Sequence, residues 1–309
     1  MSPTRIALFV DQPDWHSRRL IKGFAARGAE AVCVPLQRCG FDTGAPHGLV
    51  LPGFEDTLPA GAFLRQISAG SFEQVTMRLG VLHALRELGL TVYNDARVAE
   101  RCVDKSMTSF LLHRHGIPTP QCWAVESTDQ ARPIVEREAR PGRPLVLKPL
   151  FGSQGRGLRL VSEVADLPSE DAVAGVFYLQ RFVGRLAEGW RDWRVFVAGN
   201  RAVAAMIRHG TEWRTNAARG ARCEGVPATG RLAELAVAAA GAVGAGYAGV
   251  DIIADGPDRL QVLEVNSMPA WKALQQVTAT DIAAALAEDL LSRLPARVED
   301  RPLRSAAGQ

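Results

Sequence analysis

The chain is poor in cysteine. Its five cysteines, Cys33, Cys39, Cys102, Cys122 and Cys223, are odd in number, widely spaced and form no Cys-x-x-Cys pair. That argues against a disulfide framework or a zinc site and favours inert thiols in a reduced, cytoplasmic setting. Long apolar runs are also missing. None approaches the ~18 residues of a membrane span, and the Ala-rich segment 232–248 is interrupted by Glu234, Gly241, Gly244 and Gly246. The apolar core of Thr4-Arg-Ile-Ala-Leu-Phe-Val-Asp11 is too short for a signal peptide, and no small-residue cleavage pattern follows. Net charge is only +3, with Lys and Arg scattered and no basic stripe interleaved with aromatics. Neither a nucleic-acid nor a membrane partner is therefore expected. Internal repeats and a convincing Ser/His or Cys/His constellation are absent too. His83, His113, His115 and His209 fall on helices or near turns and read as non-catalytic.

What remains is ordinary for a soluble enzyme: 309 residues, 47% hydrophobic and 22% charged. This is enough for two or three units of domain size. Strands are expected at 5–10, 31–35 and 91–94, with helices over 15–27 and 72–88, each stopped by a glycine. Such alternation implies an open α/β sheet over residues 1–95. A helix over 104–115 follows. Strands at 121–125, 144–149, 158–161 and 177–182 surround a helix near 128–139. A hairpin on Gly199-Asn200 comes next, with strands at 193–198 and 202–207 and Arg208 just after the second. Helices at 230–245 and 281–293 flank the last strands. The tail from 296 is charged, then small and polar, and is expected to fray.

The stretch from Asp251 to Pro269 is the most informative. Two apolar runs flank Asp255-Gly-Pro-Asp258 and read as a β-hairpin. Strand residues alternate faces, so Glu264 and Asn266 share one, and Asp251 can join them from the neighbouring strand. Three hard oxygen donors on a sheet suit Mg²⁺, with Mn²⁺ as an alternative. A solvated strand face is the competing reading, disfavoured because unpaired carboxylates are costly among apolar neighbours.

Lys148 ends a strand and is followed by Gly152-Ser153-Gln154-Gly155-Arg-Gly157. Glycines let backbone N–H groups approach phosphate, and a lysine adds a point charge. This is not a Walker A loop, nor a Rossmann fingerprint, because no helix follows. A structural hairpin turn remains open here. Lys105 can be a second phosphate cation or a solvated helix lysine. The strand exit Gln180-Arg181-Phe182-Val183 can present backbone groups to an adenine edge, or simply end. Asp192 and Arg194 share a strand face. With Arg208, Arg214 and Asn216 they supply donors suited to carboxylate and phosphoryl oxygens, or they belong to a loose loop.

Taken in order, Lys105, Lys148, the glycine-rich hairpin, Gln180 to Val183, Asp192-x-Arg194, Arg214-x-Asn216, Asp251 and Glu264-x-Asn266 resemble the ATP-grasp superfamily. The ending Glu264-Val-Asn266-Ser-Met-Pro269 is similar to that of its RimK-like branch of amino-acid ligases. The resemblance covers roughly residues 60–290. The segments Phe63 to Gln74 and Trp271 to Thr278 resemble a subgroup near the tetrahydromethanopterin glutamate ligases.

The resemblance implies an α/β ATP-grasp fold. An N-terminal pre-ATP-grasp domain (1–95) precedes two α+β subdomains (96–183 and 184–295) that clasp ATP. It implies that Lys105 and Lys148 contact phosphates under a lid of Gly152, Ser153, Gln154, Gly155 and Gly157. Asp192 and the segment Gln180, Arg181, Phe182 and Val183 would meet the nucleotide, with backbone at Arg181 and Val183 reading adenine. Asp251, Glu264 and Asn266 would hold the metal. Arg194, Arg208, Arg214 and Asn216 would meet the carboxylate and the transferring phosphoryl. Two departures stand out: Gln180-Arg181 where relatives often carry an acidic residue, and Ala270-Trp271 in place of Gly-Leu.

The implied reaction joins a carboxylate to an amine through an acyl phosphate. The expected partners are ATP, glutamate and a small-molecule cofactor or precursor, and a homo-oligomer is admitted. A ligase acting on a protein C-terminus and a non-catalytic nucleotide-binding module are the rival readings.

Overall fold

The computed structural model describes residues 3–140, 142–152, 155–183, 189–216, 220–256 and 259–295. It begins with β1 (Thr4–Phe9), α1 (Trp15–Ala25) and β2 (Ala29–Val34), then a short antiparallel pair, β3 (Gly40–Phe41) and β4 (Leu49–Val50). β5 (Gly61–Leu64), α2 (Phe72–Glu87) and β6 (Val92–Tyr93) follow. β2-β1-β5-β6 form one parallel sheet. Both helices start at reciprocal caps, Asp14 with Ser17 and Ser71 with Gln74, which satisfy the first free N–H groups. Ser71 thus has a structural role. Arg78, buried in α2, donates to the carbonyls of Ser68 (2.8 Å) and Ala69 (3.1 Å) and fixes the arch before the helix. β5 lies at the centre of the sheet and was not expected. All four of its residues are buried, so it carries none of the alternation that betrays a half-exposed strand.

The second unit opens with α3 (Ala96–Val103), which was not expected, and α4 (Lys105–Arg114), which matches the helix expected over 104–115. Asp104 separates them and accepts from the N–H groups of Ser106 (2.8 Å) and Met107 (3.1 Å), so α4 restarts on a new cap. β7 (Cys122–Val125), α5 (Thr128–Glu138), β8 (Leu145–Lys148), β9 (Arg159–Val161) and β10 (Phe177–Arg181) complete it. The antiparallel strand order is β7-β10-β8-β9. Leu145, Leu147, Phe177 and Leu179 pack against Ala131, Ile134 and Val135 of α5. By alternation, Val146, Lys148, Tyr178 and Gln180 face the other way.

The third unit contains β11 (Trp190–Ala198), β12 (Arg201–Gly210), β13 (Arg222–Val226), α6 (Gly230–Val243), β14 (Tyr247–Ala254) and β15 (Leu260–Asn266). It ends with α7 (Lys272–Gln275) and α8 (Ile282–Ser292). Its antiparallel order is β13-β12-β11-β14-β15. One face of this sheet packs on α6. The other, with Phe196, Met206 and Tyr247, merges with Ile6, Leu8 and Phe63 of the first sheet and with Ile282, Leu286 and Leu290 of α8. The first and third units therefore share a hydrophobic core, α3 and α4 pack into the α6 side of the third unit, and the β7-β10-β8-β9 sheet has its own core around α5.

Candidate active site

β14 and β15 pair Asp251 with Glu264 and Gly249 with Asn266, but Ile252 with Val262, so Leu263 is bulged out of register. The extra residue lets Val262 and Val265 both bury against α6. Leu263 and Glu264 consequently both line the cavity on the opposite side. Glu264 and Asn266 share a face as expected: Asn266 Nδ2 donates to Glu264 Oε1 at 3.1 Å and to the Gly249 carbonyl at 3.3 Å. The amide nitrogen is spent on these two, which leaves Oδ1 for a cation. Gly249 is required here, because a Cβ would lie 2.7 Å from the Pro269 side chain and 3.2 Å from Cδ of Arg194.

Asp251 is buried and sits opposite Arg194 on β11. The Arg194 fork grips both carboxylate oxygens, with Nη2 to Oδ2 at 2.6 Å. Asp192 and Arg208 are likewise cross-strand partners, joined through Nε at 2.7 Å and Nη2 at 2.5 Å. Arg208 Nη2 also reaches Asp251 Oδ1 at 3.2 Å. Arg208 therefore lies inside β12 rather than after it, because its cross-strand aspartate draws the sheet outward to Trp190 and Gly210. Two arginines balance two aspartates. Burial alone would raise the Asp251 carboxyl, but Arg194 and then Arg208 hold it well below the ordinary carboxylate range. Asp192 relies on the shared Arg208, and burial pushes its carboxyl up against that pull.

Lys148, at the end of β8, is buried; Lys105, in the first turn of α4, is partly so. Burial lowers the proton affinity of both amines, and Glu264 opposes that shift in each. The two lysines and Glu264 thus face one another. Lys105 Nζ also donates to the carbonyls of Leu150 (3.2 Å) and Gly152 (2.9 Å), holding the glycine-rich loop near α4. Gly155 and Gly157 both adopt positive φ, and a Cβ on Gly157 would lie 2.7 Å from Pro149 Cγ. Ser153 and Gln154 lie outside the described residues.

At the β10 exit, the Arg181 side chain projects to the α5 face and pairs with Glu138 at 2.7 Å. Only its backbone is left for the cavity, and its N–H is already taken by the Gln121 carbonyl at 2.9 Å. Gln180 is buried and donates to Tyr178 Oη at 3.3 Å. Phe182 packs edge-on against Trp190 and Trp213.

Three cavities meet at Glu264, and two of them together are lined by Lys105, Lys148, Arg194 and Arg208. The first, about 100 Å³, is bounded by Lys105, Lys148, Gly155, the Gln180–Val183 exit, Asp192 and Glu264. Val146, Phe182, Ile253 and Leu263 give it apolar walls. The second, about 700 Å³, is lined by Arg65, Arg194, Arg208 and Lys272. They share Arg208, Asn216 and Glu264. Arg214 lines neither. Its guanidinium bonds Glu212 at 3.1 Å and lies over the Trp213 ring.

Sequence reasoning missed Asn94. Its amide donates to the carbonyls of Tyr247 (2.7 Å) and Ser267 (2.8 Å) and accepts from the Gly246 N–H (2.7 Å), stitching the start of β14 to the end of β15. Such a role leaves no local signal. None of His83, His113, His115 and His209 lines either cavity. Burial pushes the Cys39 and Cys102 thiols up to about 12, which makes both poor nucleophiles.

His16 was also missed. It accepts from the Trp271 N–H at Nε2 (3.1 Å), and its Nδ1 faces Asp14 at 3.0 Å, an arrangement that requires the neutral ring. Burial, followed by the nearby Arg65 charge, lowers its pKa below the ordinary 6.5. The unfolded chain therefore takes up a proton first as pH falls. The contribution of His16 to stability is complete above pH 6.5 and is lost below it, toward the folded value. Melting curves at about pH 7.5 and about pH 5 should differ less for His16→Gln than for the wild type.

Among the described residues, no group of three His, Cys, Asp or Glu side chains is placed to hold a metal. The set that fits a hard cation is instead two carboxylates and an amide: Asp251, Glu264 and Asn266. Arg194 and Arg208 occupy three of the roughly four acceptor positions on Asp251, so Glu264 and Asn266 are its more accessible members.

A clasped, cation-lined cavity between two antiparallel sheets is the setting of an ATP-grasp enzyme, and residues 102–290 match the RimK-like ATP-grasp domain. The chain belongs to the RimK-like ATP-grasp family, whose members are ATP-dependent C–N ligases. Tetrahydromethanopterin:alpha-L-glutamate ligase of Methanococcus maripaludis is 34% identical over 237 residues, covering 75% of this chain and 78% of that protein. A probable alpha-L-glutamate ligase of Alkalilimnicola ehrlichii is 31% identical over 285 residues, covering 88% and 90%. The solved structure of the ATP-grasp ligase PsnB with minimal precursor, Mg and ADP shares the fold, with a TM-score of 0.71 and 22% identity over 94% of this chain and 97% of that one. No helix among the described residues is long and apolar enough to cross a membrane.

Proposed function

We propose that this ligase adds glutamate to a small-molecule cofactor or its precursor, through an acyl phosphate. The observation that carries this reading is the junction of the two cavities at Arg208, Asn216 and Glu264. ATP occupies the first cavity, with its base between Val146, Phe182, Ile253 and Leu263 and its phosphates near Lys105 and Lys148. Acidic substrates occupy the second, beside Arg194 and Arg208. A substrate carboxylate at the junction attacks the γ-phosphoryl, releasing ADP, and the amine then displaces phosphate from the acyl phosphate. No enzyme nucleophile is needed, and catalysis is positioning with charge stabilisation. Glu264, Asn266 and Asp251 would hold Mg²⁺, which offsets negative charge on the phosphate oxygens when bound. The glycine-rich loop excludes water that would hydrolyse the acyl phosphate. The working units are 1–95, 96–183 and 184–295.

Three measurements test this. ATP, glutamate and a panel of carboxylic acids should release ADP and yield a product heavier by a glutamyl unit in mass spectra. Hydroxylamine should divert the intermediate to a hydroxamate, and its absence during turnover would remove the acyl phosphate. ADP release should stop with EDTA and return with Mg²⁺ or Mn²⁺; turnover that survives chelation would count against the metal set.

A further inference from the structure

Arg65 is the first residue after β5, and its N–H donates to the Phe9 carbonyl at the end of β1 (3.0 Å). In the order β2-β1-β5-β6, these two strands flank the point where the chain reverses direction across the sheet. Ligands of open parallel sheets bind beyond the strand ends at that point. Arg65 is buried, at 9% exposure, yet among the described residues no carboxylate lies within 4.0 Å of it. Nη1 donates to the Met268 carbonyl at 3.1 Å, and Nε has no partner. The guanidinium lies 5.3 Å from the Trp271 ring centre, and that ring is itself fully buried. Asp14 is occupied by the Ser17 N–H and His16, and His16 must stay neutral to accept from Trp271. Asp14 attracts Arg65 only from a distance, without a contact within 4.0 Å. A buried guanidinium with Nε unpartnered and no carboxylate in contact is costly, unless a ligand supplies the anion. Arg65 lines the larger cavity together with the exposed Lys272 and does not line the first. Arg194 and Arg208, by contrast, already carry aspartates.

We propose that Arg65, fixed over Trp271, binds a carboxylate that takes no part in the reaction, on one of the two acidic substrates. The N-terminal sheet thereby supplies substrate selectivity to a site whose chemistry lies on the other two units. The ligase reading enters only in identifying the ligand as a substrate. Two sources share this chemistry: the entering amino acid and the carboxylate that becomes activated.

Calorimetry on protein saturated with Mg²⁺ and a non-hydrolysable ATP analogue separates them, using L-glutamate and N-acetyl-L-glutamate as probes. Arg65→Met should weaken at least one probe by about tenfold or more, and Arg65→Lys should recover part of the loss. Loss of L-glutamate marks the entering amino acid, and loss of N-acetyl-L-glutamate marks the carboxyl donor. Nucleotide affinity should change by less than about twofold. The melting temperature of Arg65→Met should be unchanged or higher, because an uncompensated charge has been removed. Equal binding by variant and wild type, no binding of either acid to the wild type, or a lower melting temperature with weakened nucleotide binding would each overturn the proposal. Arg65-dependent acid binding without any ADP release would instead leave it standing and remove the ligase reading.

Discussion

Glu264→Ala should lower ADP release by about a thousandfold while the protein keeps its fold, since loss of one group that offsets charge at a reacting centre costs about 10²–10³ in turnover. Glu264 is the residue on which the most of the site converges. It sits at the junction of both cavities, accepts from Asn266 at 3.1 Å and faces Lys105 and Lys148. Its apolar neighbours Val262 and Val265 point the other way, into the core, so alanine removes no packing. Far-ultraviolet circular dichroism should therefore match the wild type. Glu264→Gln separates charge from shape, because it keeps one oxygen ligand and loses the negative charge, and it should recover little of the rate. Turnover within about tenfold of the wild type in the alanine variant would remove Glu264 from the metal site.

Arg208→Met should cost the most stability. The guanidinium carries two hydrogen bonds to Asp192 and lies 3.2 Å from Asp251, and all three residues are buried. Methionine fills similar space but leaves Asp192 without its arginine and Asp251 with Arg194 alone. Removing one partner from a buried ion pair costs about 3–5 kcal/mol, which corresponds to a fall in melting temperature on the order of 10 °C. Differential scanning calorimetry reads this directly. Replacing Asp192 as well, in Arg208→Met/Asp192→Leu, should restore most of the stability but none of the activity. A single variant as stable as the wild type would mean that water or backbone movement already screens the pair.

The β14–β15 hairpin was legible because period-two alternation broke at few places, and those breaks are the residues proposed to hold the cation. The bulge at Leu263 was legible in hindsight as the three-residue spacing of Val262 and Val265, a spacing no regular strand uses. β5 was not legible, because a wholly buried strand has no polar face to mark its period. β13 was missed for the opposite reason: an edge strand of Arg-Cys-Glu-Gly-Val buries too little to look apolar. Arg194 and Arg208 were found as cations, but their aspartate partners depend on register, which no local window contains. Arg214 looked equivalent in sequence, and only the path of the chain after β12 turns it toward Glu212.

The shared core between the first and third units bears on how the molecule comes apart. Ile6, Phe63, Tyr247 and Leu286 cannot be exposed separately, so the two outer sheets should melt and exchange amide protons as one cooperative block. The middle sheet, closed around α5, owns enough buried surface to open by itself at lower free energy. A nucleotide gripped by both would join these two thermodynamic domains, so occupancy should be felt as slower amide exchange along β8 and β10 and onward into β7, which lines none of the three cavities.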